Sequence, residues 1–386
     1  MQTVIINLRA LTPLWTGGYK KQKGMDKINP SNILGWLRYW AEAIERIYNP
    51  ELKSEPCKIT DDDIDRLELI DDVELTNKTL GELGLCNICY VYGTTEWAKR
   101  FYMDISTENG KMLNFYNKLI PSGREHKNRS GGWPLKGGYI GEFNITISYL
   151  EEETPILPYI IIPVKIISKF ASFGGNTSNG NGAVCEVENN NNFGRAIIEK
   201  FFSDNRKIDY SNKSQVPNLL DMFFIRVRFH ARFDMLVNLI KKQCNNKVIR
   251  DDNKVNKNDL KECFENGFFP IAPLIKNYLR YEAFRLVPKL DENIFGVVKD
   301  NGKTRIKSKI NISHAYRIDN NDKWELRIWG WLPCNIDGVK GYKRQELIGE
   351  LCDDVNKYFD ELNLAVDTVI VEPRSDFDSF LQKLLE

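Results

Sequence analysis

Two cysteines spaced Cys-x-x-Cys, Cys86 and Cys89, form the tightest cluster of reactive side chains in this 386-residue sequence. Such a pair suits a metal knuckle, but a structural zinc needs about four ligands. No second Cys-x-x-Cys or His-x-x-x-His accompanies it. Cys57 and His126 would complete a set only if the fold brought them there. The expectation is two reduced thiols in a turn, with no metal and no cofactor. His126, His230 and His314 are the three histidines, and none stands in a recognisable catalytic motif. The aspartates of "TDDDID" could attract Mg²⁺, yet such runs are ordinarily solvated helix starts. No P-loop, dinucleotide fingerprint or nucleophile elbow is present. The chain reads as a binding protein, not an enzyme.

Binding chemistry is better represented. The stretch "GGNTSNGNG", Gly174 to Gly182, has neither charge nor bulk. Gly174, Gly175, Gly180 and Gly182 permit positive φ and close backbone approach, and consecutive amides in such a turn can cradle phosphate oxygens. Asn176, Asn179 and Asn181 add neutral donors. A plain surface turn is the alternative reading. Arg38 lies four residues before Glu42 in a helical pattern; its guanidinium could hold a phosphate bidentately or pair with Glu42 on the helix surface. Two Gly-containing basic segments, "GGYKKQKGMDK" with Lys20, Lys21 and Lys23, and "VKDNGKTRIKSK" with Lys303, Arg305, Lys307 and Lys309, would form one basic groove if the fold joined them. Arg124, Lys127 and Arg129 sit in a third Gly-rich excursion, "PSGREHKNRSGGW".

These residues need elements to position them. "TVIINLRALTPL" alternates and is rich in β-branched residues, which predicts a strand. In "NPSNILGWLRYWAEAIERIY", Ile33, Trp36, Leu37, Trp40, Ile44 and Ile47 recur at helical spacing, with Asn29 or Ser31 able to cap the start. Both tryptophans are read as core. Between Glu51 and Glu74 ten acidic residues face three basic ones, the mark of an inserted, partly helical segment rather than a polyanion-binding face. "RFYMDIS", "GEFNITISYL", "AVCEVE" and "MFFIRVRFHARF" read as strands. "IIPVKIISKFAS" is open between strand and helix. "NFGRAIIEKFFS", "DMLVNLIKKQ", "IAPLIKNYLRYEAF", "RQELIGELCDDVNKYFDEL" and "SDFDSFLQKLLE" read as helices, and "RIKSKINISHAYRI" with "DKWELRIWGWLP" as a hairpin. Strands and helices mix in both halves, which favours α+β over a doubly wound parallel sheet. The polar stretch between about residues 190 and 218 marks the domain boundary.

Composition sets outer limits. Hydrophobic residues at 42% and charged residues at 28% describe a globular chain able to bury a large core. A net charge of +1 gives no sign of a polyanion partner by itself. No apolar run approaches the roughly 18 residues of a membrane helix. Eight scattered cysteines and a start without signal-peptide pattern suggest a cytoplasmic protein with no membrane partner.

Four stretches fall in a telling order: "LTPLWTGG", "NPSNILGWLRYWAEAI", "CNICYVYGTTEWAKRFYMDIS" and "FGGNTSNGNGAV". This order resembles the RAMP superfamily of CRISPR-associated proteins. The first two stretches, with "IFGVVKDNGKTRIKSKINI", look most like the first RAMP subunit of the Cmr-type (type III-B) effector complex. The resemblance implies two ferredoxin-like, RRM-related domains, here 1–200 with an acidic insertion near 51–80, and 201–386. It implies a Gly-rich loop before the last strand of the first domain, as here. It also implies a non-catalytic subunit that binds guide RNA or target single-stranded RNA near the guide 3′ end, beside other Cmr-type subunits. The RNA-binding set would be Lys20, Lys21, Lys23, Arg38, Gly174, Gly175, Asn176, Asn179, Gly180, Asn181, Gly182, Arg305 and Lys307. The family loop often carries arginines where this one has Asn176, Thr177, Ser178 and Asn179, so charge pairing from the loop is not expected. The alternative is a RAMP-type, metal-independent endoribonuclease that processes guide RNA; a His or Lys base in the cleft would distinguish it.

Overall fold

Leu8, Ala10, Thr12 and Leu14 are all buried, two residues apart along strand β1 (Gln2–Leu14). That is the period-two face of a sheet laid on a core. The computed structural model describes residues 1–17, 27–53, 55–60, 62–63, 84–119, 133–150, 155–187, 191–205, 208, 210, 216–244, 257–283, 290–299, 304–319, 321–333 and 343–386. Helix α1 (Pro30–Glu45) follows β1, with Pro30 in its first turn and Asn29 as cap, its Oδ1 accepting from Ser31 N. The short helix α2 (Asn87–Tyr92) forms where a Cys-containing turn is expected. Then come β2 (Phe101–Leu119), β3 (Trp133–Tyr149), helix α3 (Pro158–Phe170) and β4 (Val184–Glu186). The strands pair antiparallel in the order β2-β3-β1-β4. Leaving α2 aside, this β-α-β-β-α-β path with its central β1 and β3 is the ferredoxin-like arrangement.

Helix α3 resolves the ambiguity of "IIPVKIISKFAS". Twelve of its thirteen residues are buried, because it packs on α1 and also against the second half of the chain. A helix covered all round loses its amphipathic signature. Pro163 sits inside it and has no N–H for the carbonyl of Tyr159. Tyr92 Oη donates to that carbonyl instead, at 2.7 Å. The orphaned acceptor is thus satisfied from α2.

After helix α4 (Asn191–Asp204), the second sheet opens with β5 (Met222–His230). Helices α5 (Phe233–Gln243), α6 (Lys257–Glu265), α7 (Ala272–Tyr278) and α8 (Leu290–Phe295) follow, with β6 (Phe268–Phe269) between α6 and α7. A small hairpin of β7 (Val297–Lys299) and β8 (Thr304–Ile306) stands apart. The expected larger hairpin is present: β9 (Ile310–Ile312) and β10 (Ala315–Arg317) both pair antiparallel with β11 (Lys323–Trp331). Helix α9 (Arg344–Asp360), edge strand β12 (Val366–Val371) and helix α10 (Phe377–Leu385) complete the chain. The main path is β12-β5-β11-β10-β6, so the ferredoxin-like order recurs with β6 added at the edge. Strand β12 and helix α6 are not anticipated by the sequence pattern.

Alternation along the second sheet divides its side chains between two cores. Phe223, Ile225, Val227 and Phe229 join Leu326 and Ile328 beneath the sheet's own helices. Met222, Phe224 and Trp329 join the core of the first half, together with Phe377, Phe380 and Leu384 of α10. On this inter-sheet face lies Arg327, 4% exposed. Its Nη1 donates to the carbonyls of Ile167 (3.1 Å), Ala171 (3.1 Å) and Val184 (3.0 Å), where α3 ends and β4 begins. Its Nε donates to Tyr316 Oη at 2.7 Å, and Tyr316 in turn bonds Glu325. Burial alone would raise the Glu325 carboxyl. The Arg327 charge and the hydrogen bonds from Tyr316 and Arg228 outweigh it and hold the group below the ordinary carboxylate range.

Arg327→Met should therefore cost about 3–5 kcal/mol, because three carbonyls and Glu325 lose a buried cationic partner. Arg9→Met, which removes an exposed pair with Glu142, should cost less than about 1 kcal/mol. Denaturant unfolding of the two variants beside the parent measures both; equal midpoints would remove Arg327 from the inter-sheet clasp.

Candidate functional site

Between the two sheets the described residues enclose a cleft of about 800 Å³. One wall is the first three turns of α1, presenting Ser31, Asn32, Gly35, Trp36 and Tyr39. The second is the tip of the Gly-rich loop, Asn176 to Ser178. The third is the basic segment after β8, with β9 and the end of β11: Lys307, Ser308, Lys309, Asn311, Trp329 and Trp331. Segments more than a hundred residues apart in sequence thus meet at one concave surface.

Each wall is held by identifiable contacts. Trp36 Nε1 donates to the carbonyl of Gly174 at 2.6 Å, fixing the loop against α1. The Trp36 ring also meets Trp329 edge-on, with centroids 5.8 Å apart, so both halves contribute to the cleft floor. Trp40, one turn further along α1, is fully buried, as core residues are. Thr177 Oγ1 and Asn311 Oδ1 lie 3.2 Å apart, with Thr177 the donor, tying the loop to β9. Lys276 Nζ donates to Ser178 O at 3.2 Å from α7. Lys309 Nζ lies 5.0 Å from the centre of the half-buried Trp331 ring, a cation over an aromatic face. Lys307 is exposed. Two cations, several neutral hydroxyls, asparagines and aromatic faces share one surface.

The glycines of the loop serve the fold first. Gly174, Gly180 and Gly182 all have positive φ. A Cβ on Gly182 would lie 1.8 Å from Phe173 O, and one on Gly180 would lie 2.1 Å from the His314 ring. Asn181 is buried, and its Nδ2 donates to Pro13 O at 2.9 Å and Lys136 O at 3.0 Å. Gly175 N donates to Trp15 O. The loop is therefore a packed connector between β1, α3 and β9, and Asn176, Thr177 and Ser178 are its cleft-facing part. Asn176 Nδ2 and Asn32 Oδ1, both on cleft-lining residues, have no hydrogen-bond partner among the described residues. Asn179, half-buried, lies behind them.

Arg38 faces protein partners. Its Nε donates to Glu42 Oε1 (3.0 Å), Nη1 to Gly93 O (2.8 Å) and Nη2 to Cys89 Sγ (3.6 Å). The Arg38–Glu42 pair is thus formed, with α2 and its following turn as additional acceptors. Arg305 is on β8, opposite Val298. Lys20, Lys21, Lys23, Lys303, Arg124, Lys127 and Arg129 lie outside the described residues. Sequence reading did not single out Trp331, Lys276 or Asn311; a tryptophan at a strand's end and a helical lysine carry no signal of a cleft until strands and helices are placed.

His314 closes the loop from beneath. Its backbone N donates to Gly180 O at 2.9 Å, and its ring stacks on Phe268. Burial strips the imidazolium of water and pushes its pKa down to about 3 from 6.5. It is a neutral packing group here, not a general base facing the cleft.

The RAMP superfamily model matches residues 7–186. No curated protein matches the sequence. Among solved structures, the chain is similar to apo Cmr1 from Pyrococcus furiosus, with 12% identity over 95% of this chain and 98% of that one, at a TM-score of 0.43. It is also similar to a chain of a type III-B Cmr-beta complex bound to cognate target RNA and AMPPnP in the presence of ssDNA, with 11% identity over 93% and 99%, at a TM-score of 0.42. No helix among the described residues is long and apolar enough to cross a membrane.

A His with a depressed folded pKa stabilises the fold fully above its unfolded pKa, and that stability falls as pH drops below 6.5. Between pH 6.5 and 5 the loss from His314 should be about 2 kcal/mol, at about 1.4 kcal/mol per pH unit. The variant His314→Phe should lack this segment of the acid slope. Unfolding midpoints across that window check it; parallel slopes for parent and variant would place the charge-sensitive group elsewhere.

Proposed function

With residues 7–186 a RAMP superfamily region, we propose that the chain is a non-catalytic RNA-binding subunit of a type III-B, Cmr-type, CRISPR effector complex. Its partners on this reading are guide RNA, target single-stranded RNA and neighbouring Cmr-type subunits. The observation that carries the proposal is the cleft, where Lys307, Lys309, Trp331 and the polar loop tip at Asn176 to Ser178 line one surface. Phosphates are sequence-blind targets for lysines, and an aromatic face accepts any base by stacking. Ser31, Asn32, Asn176 and Ser178 add neutral polar side chains to the same lining without selecting a charge. The motif order of the first half, through "LTPLWTGG" and "FGGNTSNGNGAV", supports the Cmr-type assignment. No histidine or carboxylate is among the described residues lining the cleft, and on this reading its two lysines, Lys307 and Lys309, act as phosphate-binding cations and not as the base of a processing nuclease.

The full chain should bind unrelated single-stranded RNAs with similar affinity and a steep salt dependence. Replacing Lys307 and Lys309 with alanine should weaken all of them alike and reduce the slope of log affinity against log salt by about 1.4, at about 0.7 per phosphate contact on a single strand. Trp331→Ala should cost about 1–3 kcal/mol, the value of one stacked base. An unchanged slope would remove the cleft from the interface. The RNA should remain intact with or without divalent cations. Cleavage abolished by His126→Ala or His230→Ala would instead identify a guide-processing ribonuclease.

A further inference from the structure

The Cys-x-x-Cys pair is not alone. Cys57, arriving from a segment 29 residues upstream of Cys86, places its sulfur beside theirs, and the three Sγ atoms lie within 4.8 Å of one another. We propose that Cys57, Cys86 and Cys89 form a zinc site, with a fourth coordination position taken by water or a further ligand. Thiolates around a tetrahedral zinc at about 2.3 Å stand about 3.8 Å apart, so the sulfurs need only close by about an ångström.

Three further features match a thiolate–metal site. Cys57 N donates to Cys89 Sγ at 3.2 Å, and Cys89 N donates to Cys86 Sγ at 3.4 Å. Amides aimed at sulfur orient thiolate ligands and spread their charge. Arg38 Nη2, 3.6 Å from Cys89 Sγ, brings a positive charge to the cluster. Three thiolates and Zn²⁺ carry a net charge of −1, which this cation offsets. Cys57 and Cys86 are half-buried and Cys89 buried, so the site is sheltered yet reachable. Softness favours zinc over magnesium or calcium, which take oxygen ligands.

The site would have a definite mechanical role. Cys57 lies near the start of the acidic segment read from the sequence as an insertion, and Cys86 lies just past its end. A metal joining them pins the base of that segment to α2. Through Arg38 it also braces α1, which forms one wall of the cleft. Neither consequence requires that the cleft bind RNA.

The test uses the full chain purified under reducing conditions without chelator. Elemental analysis should find about one zinc per chain, and Co²⁺ added to the chelated protein should give the thiolate-to-cobalt charge-transfer band and tetrahedral d–d bands, saturating at about one equivalent. Cys57→Ser should weaken Co²⁺ binding by more than about tenfold, and Cys86→Ser with Cys89→Ser should abolish the band. Circular dichroism of each variant checks that it has folded. Folded parent protein with no zinc and no charge-transfer band would overturn the proposal. So would a band that survives Cys57→Ser at full affinity, or a Cys86–Cys89 disulfide found by mass spectrometry in the freshly purified, unreduced chain.

Discussion

One guanidinium holds the two sheets together. Arg327 projects from the middle of β11 toward the first half, where its Nη1 serves three carbonyls at the end of α3 and the start of β4. A helix C-terminus presents carbonyls that its own turns cannot satisfy, and its dipole favours a cation there. The match is reciprocal: the helix end needs donors, and the buried charge needs acceptors. Tyr316, Glu325 and Arg228 extend the network across the second sheet. This pairing adds to the directional contacts that Thr177–Asn311, Lys276–Ser178 and His314–Gly180 make between the halves, and it is the one set among the packed rings of Phe224 and Trp329. The cleft depends on that docking, since its floor is the Trp36–Trp329 contact made across the same interface.

The Gly-rich loop answers to the same constraint. It must leave α3 at the Arg327 site, reach β9, and return to pair as β4 with β1. Gly180 and Gly182 are the residues that allow backbone and ring to approach within the space available. Their role is internal packing, and only the short tip at Asn176 to Ser178 faces the cleft. A loop whose composition suggests mobility is thus anchored at Trp15, Trp36, Asn311 and Lys276.

Much of the frame was legible in the sequence because it is locally encoded. The period-two burial of Leu8, Ala10 and Thr12 and the helical spacing of Ile33, Leu37, Trp40 and Ile44 correspond to elements with one buried face. Helix α3 was ambiguous for the opposite reason: burial on all sides erases periodicity. Strand β12 escaped notice because it is an edge strand, mostly half-exposed. The candidate site was legible only in parts. Lys307 and the Gly-rich loop stood out by composition, whereas Trp331 and Asn311 gained meaning from register alone. Arg327 reads in "ELRIWGW" as the solvent side of an amphipathic strand, because a pattern records alternation without saying what covers the second face. Cys57 was weighed as a partner of the Cys pair, but spacing could not decide it.

The composite floor of the cleft has an energetic corollary. Trp36 belongs to one sheet's helix and Trp329 to the other sheet, so a molecule lodged over both touches a surface that exists only while the halves are docked. Such a ligand acts as a non-covalent crosslink. By mass action it adds RT ln(1 + [L]/Kd) to the free energy of separating the halves. Occupancy and interdomain cohesion are therefore two readings of one equilibrium, and neither half excised from the other would retain the full surface.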